Sequence, residues 1–146
     1  MSQTLLCKTP EATQALARKL ARTLTQPVVI ALYGDLGAGK TMFTQALARA
    51  LGVTDPVTSP TFTLINEYDL PHSGRLYHVD VYRLDDATSE AIALGLEDLF
   101  DEGVVVIEWA DRITPILPEE RIDVHFEHAG AQQRRITIRR IEDETI

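Results

Sequence analysis

The sequence predicts an α/β fold: one domain with a mixed sheet and helices on both of its faces. Three observations carry that expectation. The apolar runs VVIALY (Val28–Tyr33) and GVVVIEW (103–109) read as short buried strands. Helical and extended segments alternate through the first half, whereas strands dominate the middle and the end. At 146 residues with 45% hydrophobic content the chain fills one core and is too short for two ordinary domains, so residues 1–146 are read as one.

In chain order, 4–8 looks like a short strand. Thr9-Pro10-Glu11 then supplies an N-cap, a proline at the first helical position and an early acid, so a helix is expected to about Leu24. Gln26-Pro27 stops it, and the strand 28–33 follows. A helix over 41–51 ends at Gly52, a Thr/Ser/Pro-rich connection runs over 57–60, and TFTLINEY (61–68) is extended. After the turn PHSG, residues 75–82 alternate as a strand, TSEAIALG forms a capped helix ending near Gly95, and LEDLF adds a helical turn. The buried strand over 103–109 leads to a loop marked by Pro115 and Pro118. RIDVHFEH and RRITIRRI close the chain as a hairpin around Ala129-Gly130.

Between the strand 28–33 and the helix 41–51 lies GDLGAGKT, which fits G-x-x-x-x-G-K-[ST]. Strand, glycine loop and helix is the order that this motif requires. Its backbone N–H groups point inward at a phosphate chain, so Gly34, Asp35, Leu36, Gly37, Ala38, Gly39, Lys40 and Thr41 are the expected nucleotide contacts. Lys40 reaches the β- and γ-phosphates, and the Thr41 hydroxyl is offered to Mg²⁺. The sheet is therefore expected to be P-loop NTPase-like, with nucleotide at the carboxyl ends of its strands.

Charge narrows the partners. Residues 1–73 carry 6 basic and 5 acidic groups and residues 74–146 carry 8 and 17, so the second half is nine charges negative. Such a surface repels a polyanion, and any role with nucleic acid is expected to run through a partner. The single Cys7 excludes an internal disulfide and reads as packing. No apolar run approaches the ~20 residues of a membrane span, and MSQTLLCKTP lacks an export signal's basic and apolar regions, so a cytoplasmic protein is expected.

A phosphate loop needs a carboxylate across the site for Mg²⁺ or its water, usually at the end of a second buried strand. Glu108, ending VVVIE, is the better metal ligand, and Asp80 in HVDVYR lies at a similar strand end. His78 shares the strand face of Asp80 and either orients that carboxylate, contacts substrate or is structural. Thr58, Ser59, Pro60, Thr61 and Thr63 form either a γ-phosphate-sensing switch or an ordinary turn. Trp109, the only tryptophan, is expected to point away from Glu108 across the sheet, and it begins a loop through Asp111 and Arg112.

Guanine recognition through N-K-x-D is excluded, because the only lysines are Lys8, Lys19 and Lys40. Nucleoside kinases carry arginines on a lid, whereas Arg134-Arg135 and Arg139-Arg140 read as part of an edge strand. ATP is the expected nucleotide. A small-molecule kinase and a nucleotide-gated interaction module remain as alternatives.

GDLGAGKT, TSPTFT, HVDVYRL, LGLEDLF and IEWADR, in this order and at these separations, resemble the TsaE family, also called YjeE, over about Val28 to Arg112. The resemblance implies a small Mg²⁺-dependent P-loop ATPase that acts with the TsaD and TsaB proteins in the threonylcarbamoyl modification of adenosine in transfer RNA. It implies that the transfer RNA is held by the partners. It also implies a catalytic set of Lys40, Asp80 and Glu108, Mg²⁺ contacts from Thr41 and Glu108, and a switch over Thr58 to Thr61. His78, Trp109 and Arg112 fall in matching motifs. Where many relatives have a second threonine this chain has Met42, so only a backbone contact to the α-phosphate is implied there.

Overall fold

The computed structural model describes residues 2–34, 39–58, 64–82 and 84–141. Seven strands form one sheet in the order β1-β7-β6-β2-β5-β4-β3. They are β1 (Ser2–Cys7), β2 (Val28–Tyr33), β3 (Ile65–Asp69), β4 (Arg75–Asp80), β5 (Val104–Glu108), β6 (Arg121–His128) and β7 (Arg134–Ile141). The helices are α1 (Pro10–Ala21), α2 (Lys40–Ala50), α3 (Ala87–Ala93) and α4 (Leu96–Leu99), with a 3₁₀ segment over Ala110–Ile116. The centre is parallel, β2 lying between β5 and β6 and β4 beside β5. The β3–β4, β6–β7 and β1–β7 pairs are antiparallel, so the sheet is mixed, as expected.

Alternation along β2 explains why helices cover both faces. Ile30 and Leu32 face a core with Leu16, Leu20, Phe43 and Leu47 from α1 and α2. Val29 and Ala31 face the other, with Ala87, Ala91, Leu96, Ala110 and Ile113 from α3, α4 and the 3₁₀ segment. A strand buried on both sides has to be apolar throughout, which is why VVIALY shows no alternation.

Several boundaries differ from expectation for local reasons. α1 begins as its cap predicts, the Thr9 hydroxyl accepting from the Ala12 N–H at 3.1 Å, but it ends at Ala21, where Thr23 and Leu24 bond back three residues instead of four. β1 starts at Ser2 and stops at Cys7, one residue before the Thr9 cap region begins. β4 stops at Asp80 instead of Tyr82, because the Asp80 carboxylate accepts from the Tyr82 N–H at 2.9 Å and turns the chain. The loop expected around Pro115 is a 3₁₀ segment kinked at Ile113. β7 is no edge strand: β1 pairs with its far side, so Arg134-Arg135 and Arg139-Arg140 sit in an interior strand. Residues 61–63 of the expected TFTLINEY strand lie outside the described residues.

The parallel centre leaves no room at its lower end. A Cβ on Gly103, which leads into β5, would collide with the Arg75 carbonyl oxygen, and that oxygen belongs to β4 backbone. Gly103→Ala is therefore expected to destabilise the fold by about 2 kcal/mol or more. Urea unfolding checks this, and a midpoint equal to that of the parent chain would contradict the close approach.

Candidate active site

The carboxyl ends of β2, β4 and β5 converge where α2 begins. The described part of the glycine loop is its two ends, since Asp35, Leu36, Gly37 and Ala38 lie outside the described residues. Gly39 has φ of 99°, a conformation that side-chain-bearing residues rarely adopt, and it caps α2 directly before Lys40. The buried Lys40 ammonium donates to the Gly34 carbonyl at 2.6 Å and so bridges the two ends of the loop. Met42 follows Thr41 in the first turn of α2, half-buried.

Across the site Glu108 ends β5 and is 3% exposed. Its carboxylate accepts from the Thr41 hydroxyl, at 3.1 Å to Oε1 and 3.5 Å to Oε2. His78, fully buried in β4, lies with Nε2 at 2.5 Å from Glu108 Oε2. A carboxylate only accepts, so Nε2 carries the hydrogen, and Nδ1 is left buried without a partner among the described residues. His78 therefore positions Glu108, and of the readings left open by the sequence, orientation of Asp80 is not the contact found. The cause is topological: β4 and β5 are parallel neighbours, and with His78 level with Val106 its ring reaches along β5 to Glu108.

Asp80 sits level with Glu108 in that register. Burial raises its carboxyl above the ordinary value; the Tyr82 N–H bond opposes this, and the nearby Glu108 charge adds to the rise. Asp80→Asn keeps an acceptor for the Tyr82 N–H, so the turn survives the change. We expect this variant to bind ATP and to hydrolyse it about a hundredfold more slowly. Calorimetry beside a turnover assay checks both halves, and unchanged turnover would remove Asp80 from the chemistry.

Trp109 adds a contact that the sequence did not announce. It has φ of 63°, and its ring lies beneath Lys40, the ammonium 3.3 Å from the ring centroid. Trp109 still packs on the face that strand alternation predicts, with Val29, Ala31, Val105 and Ile107, while Glu108 continues the opposite face of Val104 and Val106. Tyr82 packs on the same ring with centroids 4.6 Å apart. Among the described residues the only non-glycine positions with positive φ are Leu64 and Trp109, and both border this site. The Leu64 carbonyl accepts from the Asp80 N–H at 3.0 Å.

Of the candidate switch, Thr58 alone is described; Ser59, Pro60, Thr61 and Thr63 lie outside the described residues. Thr58 is held from β3, its N–H donating to the Tyr68 hydroxyl at 3.3 Å and its carbonyl accepting from the Asn66 amide at 3.1 Å. The Arg112 guanidinium donates to the Leu84 carbonyl and so ties the 3₁₀ segment to the start of α3. At the loop's entry Tyr33 stacks on His125, centroids 4.4 Å apart, and donates to Asp123 at 3.1 Å. Burial, then the Asp123 charge, pushes the Tyr33 hydroxyl up to about 12. Nothing in the spacing of Tyr33, Asp123 and His125 marks them, because only the parallel pairing of β2 with β6 brings them together.

The donor set suits a small hard cation. Thr41 and Glu108 offer oxygens 3.1 Å apart, close to the roughly 3.0 Å between neighbouring ligands of an octahedron with bonds near 2.1 Å. No group of three or more His, Cys, Asp or Glu side chains able to hold a metal occurs among the described residues. A cation here would thus draw its remaining ligands from phosphate and water, as Mg²⁺ does at nucleotide sites.

Comparisons with known proteins agree with this geometry. The family model for Threonylcarbamoyl adenosine biosynthesis protein TsaE matches residues 7–136. The tRNA threonylcarbamoyladenosine biosynthesis protein TsaE of Bacillus subtilis is 46% identical over 132 residues, covering 88% of this chain and 79% of the relative. That of Nostoc is 44% identical over 136 residues, covering 87% and 80%. The crystal structure of Bacillus subtilis YdiB superimposes with a TM-score of 0.82 at 38% identity, covering 97% of this chain and 87% of that one.

Proposed function

The chain belongs to the TsaE family, and from that premise we propose that it binds and hydrolyses ATP with Mg²⁺ as an accessory protein in threonylcarbamoyladenosine modification of transfer RNA. It acts with the TsaD and TsaB proteins, in the cytoplasm, as one domain over residues 1–146, and meets transfer RNA only through them. The observation that carries the reading is the row of side chains at the strand ends: Lys40 on the loop, and the Thr41 hydroxyl 3.1 Å from the Glu108 carboxylate. Among the described residues no helix is long and apolar enough to cross a membrane.

In this reading Lys40 leaves the Gly34 carbonyl and the Trp109 face for the β- and γ-phosphates, and neutralises charge that spreads over the transferred group. The backbone of the glycine loop from Gly34 to Met42 cradles the phosphates. Thr41 and Glu108 are the residues that would hold Mg²⁺, which would supply neutralisation of the phosphate charge. Glu108 is aimed by His78, and Asp80 orients the attacking water and takes its proton, a role favoured by its raised pKa.

ATP turnover measured with and without the TsaD–TsaB pair tests the proposal. Slow hydrolysis that rises when the pair is added is the expected result. Turnover driven instead by a small hydroxyl-bearing metabolite, and indifferent to the pair, would make the protein a kinase.

A further inference from the structure

Four large apolar side chains are exposed among the described residues, and three of them, Tyr82, Ile92 and Leu94, fall between the end of β4 and the start of α4. Ile92 and Leu94 are 49% and 50% exposed, and Ala93 between them is exposed as well. α3 already buries a face of its own through Ala87 and Ala91, so this run contributes nothing to the core. Single exposed apolar residues are ordinary, but three in succession on the outer side of a helix are a defect unless something covers them.

The surroundings say what covers them. The acids on and beside α3 and α4, Asp85, Asp86, Glu90, Glu97 and Asp98, are all exposed, and residues 85–98 hold no lysine or arginine. A nucleic acid would be repelled by this rim. A second copy of the chain, paired face to face, would set the same carboxylates against each other. Charge complementarity leaves a protein surface with a basic rim.

We propose that the outer face of α3, centred on Ile92 and Leu94, docks a partner protein that offers an apolar pocket rimmed by lysine or arginine. The proposal rests on the partner-dependent reading above and names the surface through which that dependence acts. α3 is fastened to the chain leaving the site: Arg112 bonds the Leu84 carbonyl, and the Thr88 hydroxyl donates to the Arg112 carbonyl at 3.5 Å. Tyr82, 40% exposed, packs on the tryptophan that holds Lys40. A partner seated on α3 therefore lies against segments that lead directly to Trp109.

The test titrates the TsaD–TsaB pair onto the full chain with ATP and Mg²⁺, comparing the parent protein with the Ile92→Asp/Leu94→Asp double variant. We expect the double variant to bind the pair at least about tenfold more weakly, and its own ATP binding to stay within about twofold by calorimetry. Raising the salt from about 50 to about 300 mM should weaken the parent's binding, since exposed charges are screened. If circular dichroism shows the aspartate variant unfolded, Ile92→Ser/Leu94→Ser supplies the same comparison. Equal binding by parent and variant overturns the docking face and leaves the ATPase reading standing, and binding indifferent to salt overturns the basic rim. A parent chain that does not bind the pair overturns the functional reading itself, and the docking face with it.

Discussion

Replacing Lys40 with alanine is expected to abolish partner-stimulated ATP turnover, a fall of at least about a hundredfold, because the loop amides alone cannot offset the charge that spreads over the γ-phosphate in the transition state. The structure adds a second loss. Lys40 is the strap between Gly34 and the first turn of α2, and its ammonium rests on Trp109, so the variant also gives up a hydrogen bond and a cation–π contact within the loop. Its tryptophan emission should differ from the parent's before any nucleotide is added. Near-normal turnover by Lys40→Ala would remove the assignment of the site altogether.

Glu108→Ala should act on the cation instead of on the chemistry. We expect ATP binding by this variant to need at least about tenfold more Mg²⁺, the size of effect seen when a metal site loses a ligand or its support. Calorimetry at stepped Mg²⁺ concentrations measures this, with Trp109 emission as a second readout. The alanine also strands the buried His78, whose other ring nitrogen has no partner among the described residues, so the fold should lose about 1–3 kcal/mol. Glu108→Gln separates the two effects: its amide still bonds Thr41 or His78 and spares the fold, but it lacks the charge the cation needs. Equal loss of ATP binding in Glu108→Ala and Asp80→Asn would show that the two acids do not divide the work in this way.

What was legible in the sequence is what is local. The glycine loop, the capped start of α1, the buried character of β2 and β5, and an acid at the end of each of two strands all follow from residues within one turn or one strand of each other. What the sequence hid depends on which strands lie side by side. His78 lies two residues from Asp80 in the chain, yet its ring nitrogen goes to Glu108 across the β4–β5 ladder. β7 read as an edge because nothing in RRITIRRI announces that β1, the first strand of the chain, pairs with it. Trp109 keeps the face that alternation gives it, but its contact with Lys40 depends on a left-handed residue at the strand end, a conformation that composition does not advertise for tryptophan.

The pairing of β1 with β7 also sets an order of events in time. During synthesis β1 emerges before the six other described strands, yet its only ladder among the described residues is with β7, the last of them, so it waits unpaired until β7 is made. The central parallel strands do not need it, and they are expected to assemble ahead of it. Cys7 closes β1, is buried, and is the only cysteine, so its thiol is a built-in clock for that last step. In refolding from urea, protection of Cys7 from a thiol reagent should lag behind the recovery of Trp109 emission. Simultaneous recovery would mean that the outer strand joins the sheet in the same cooperative step as its centre.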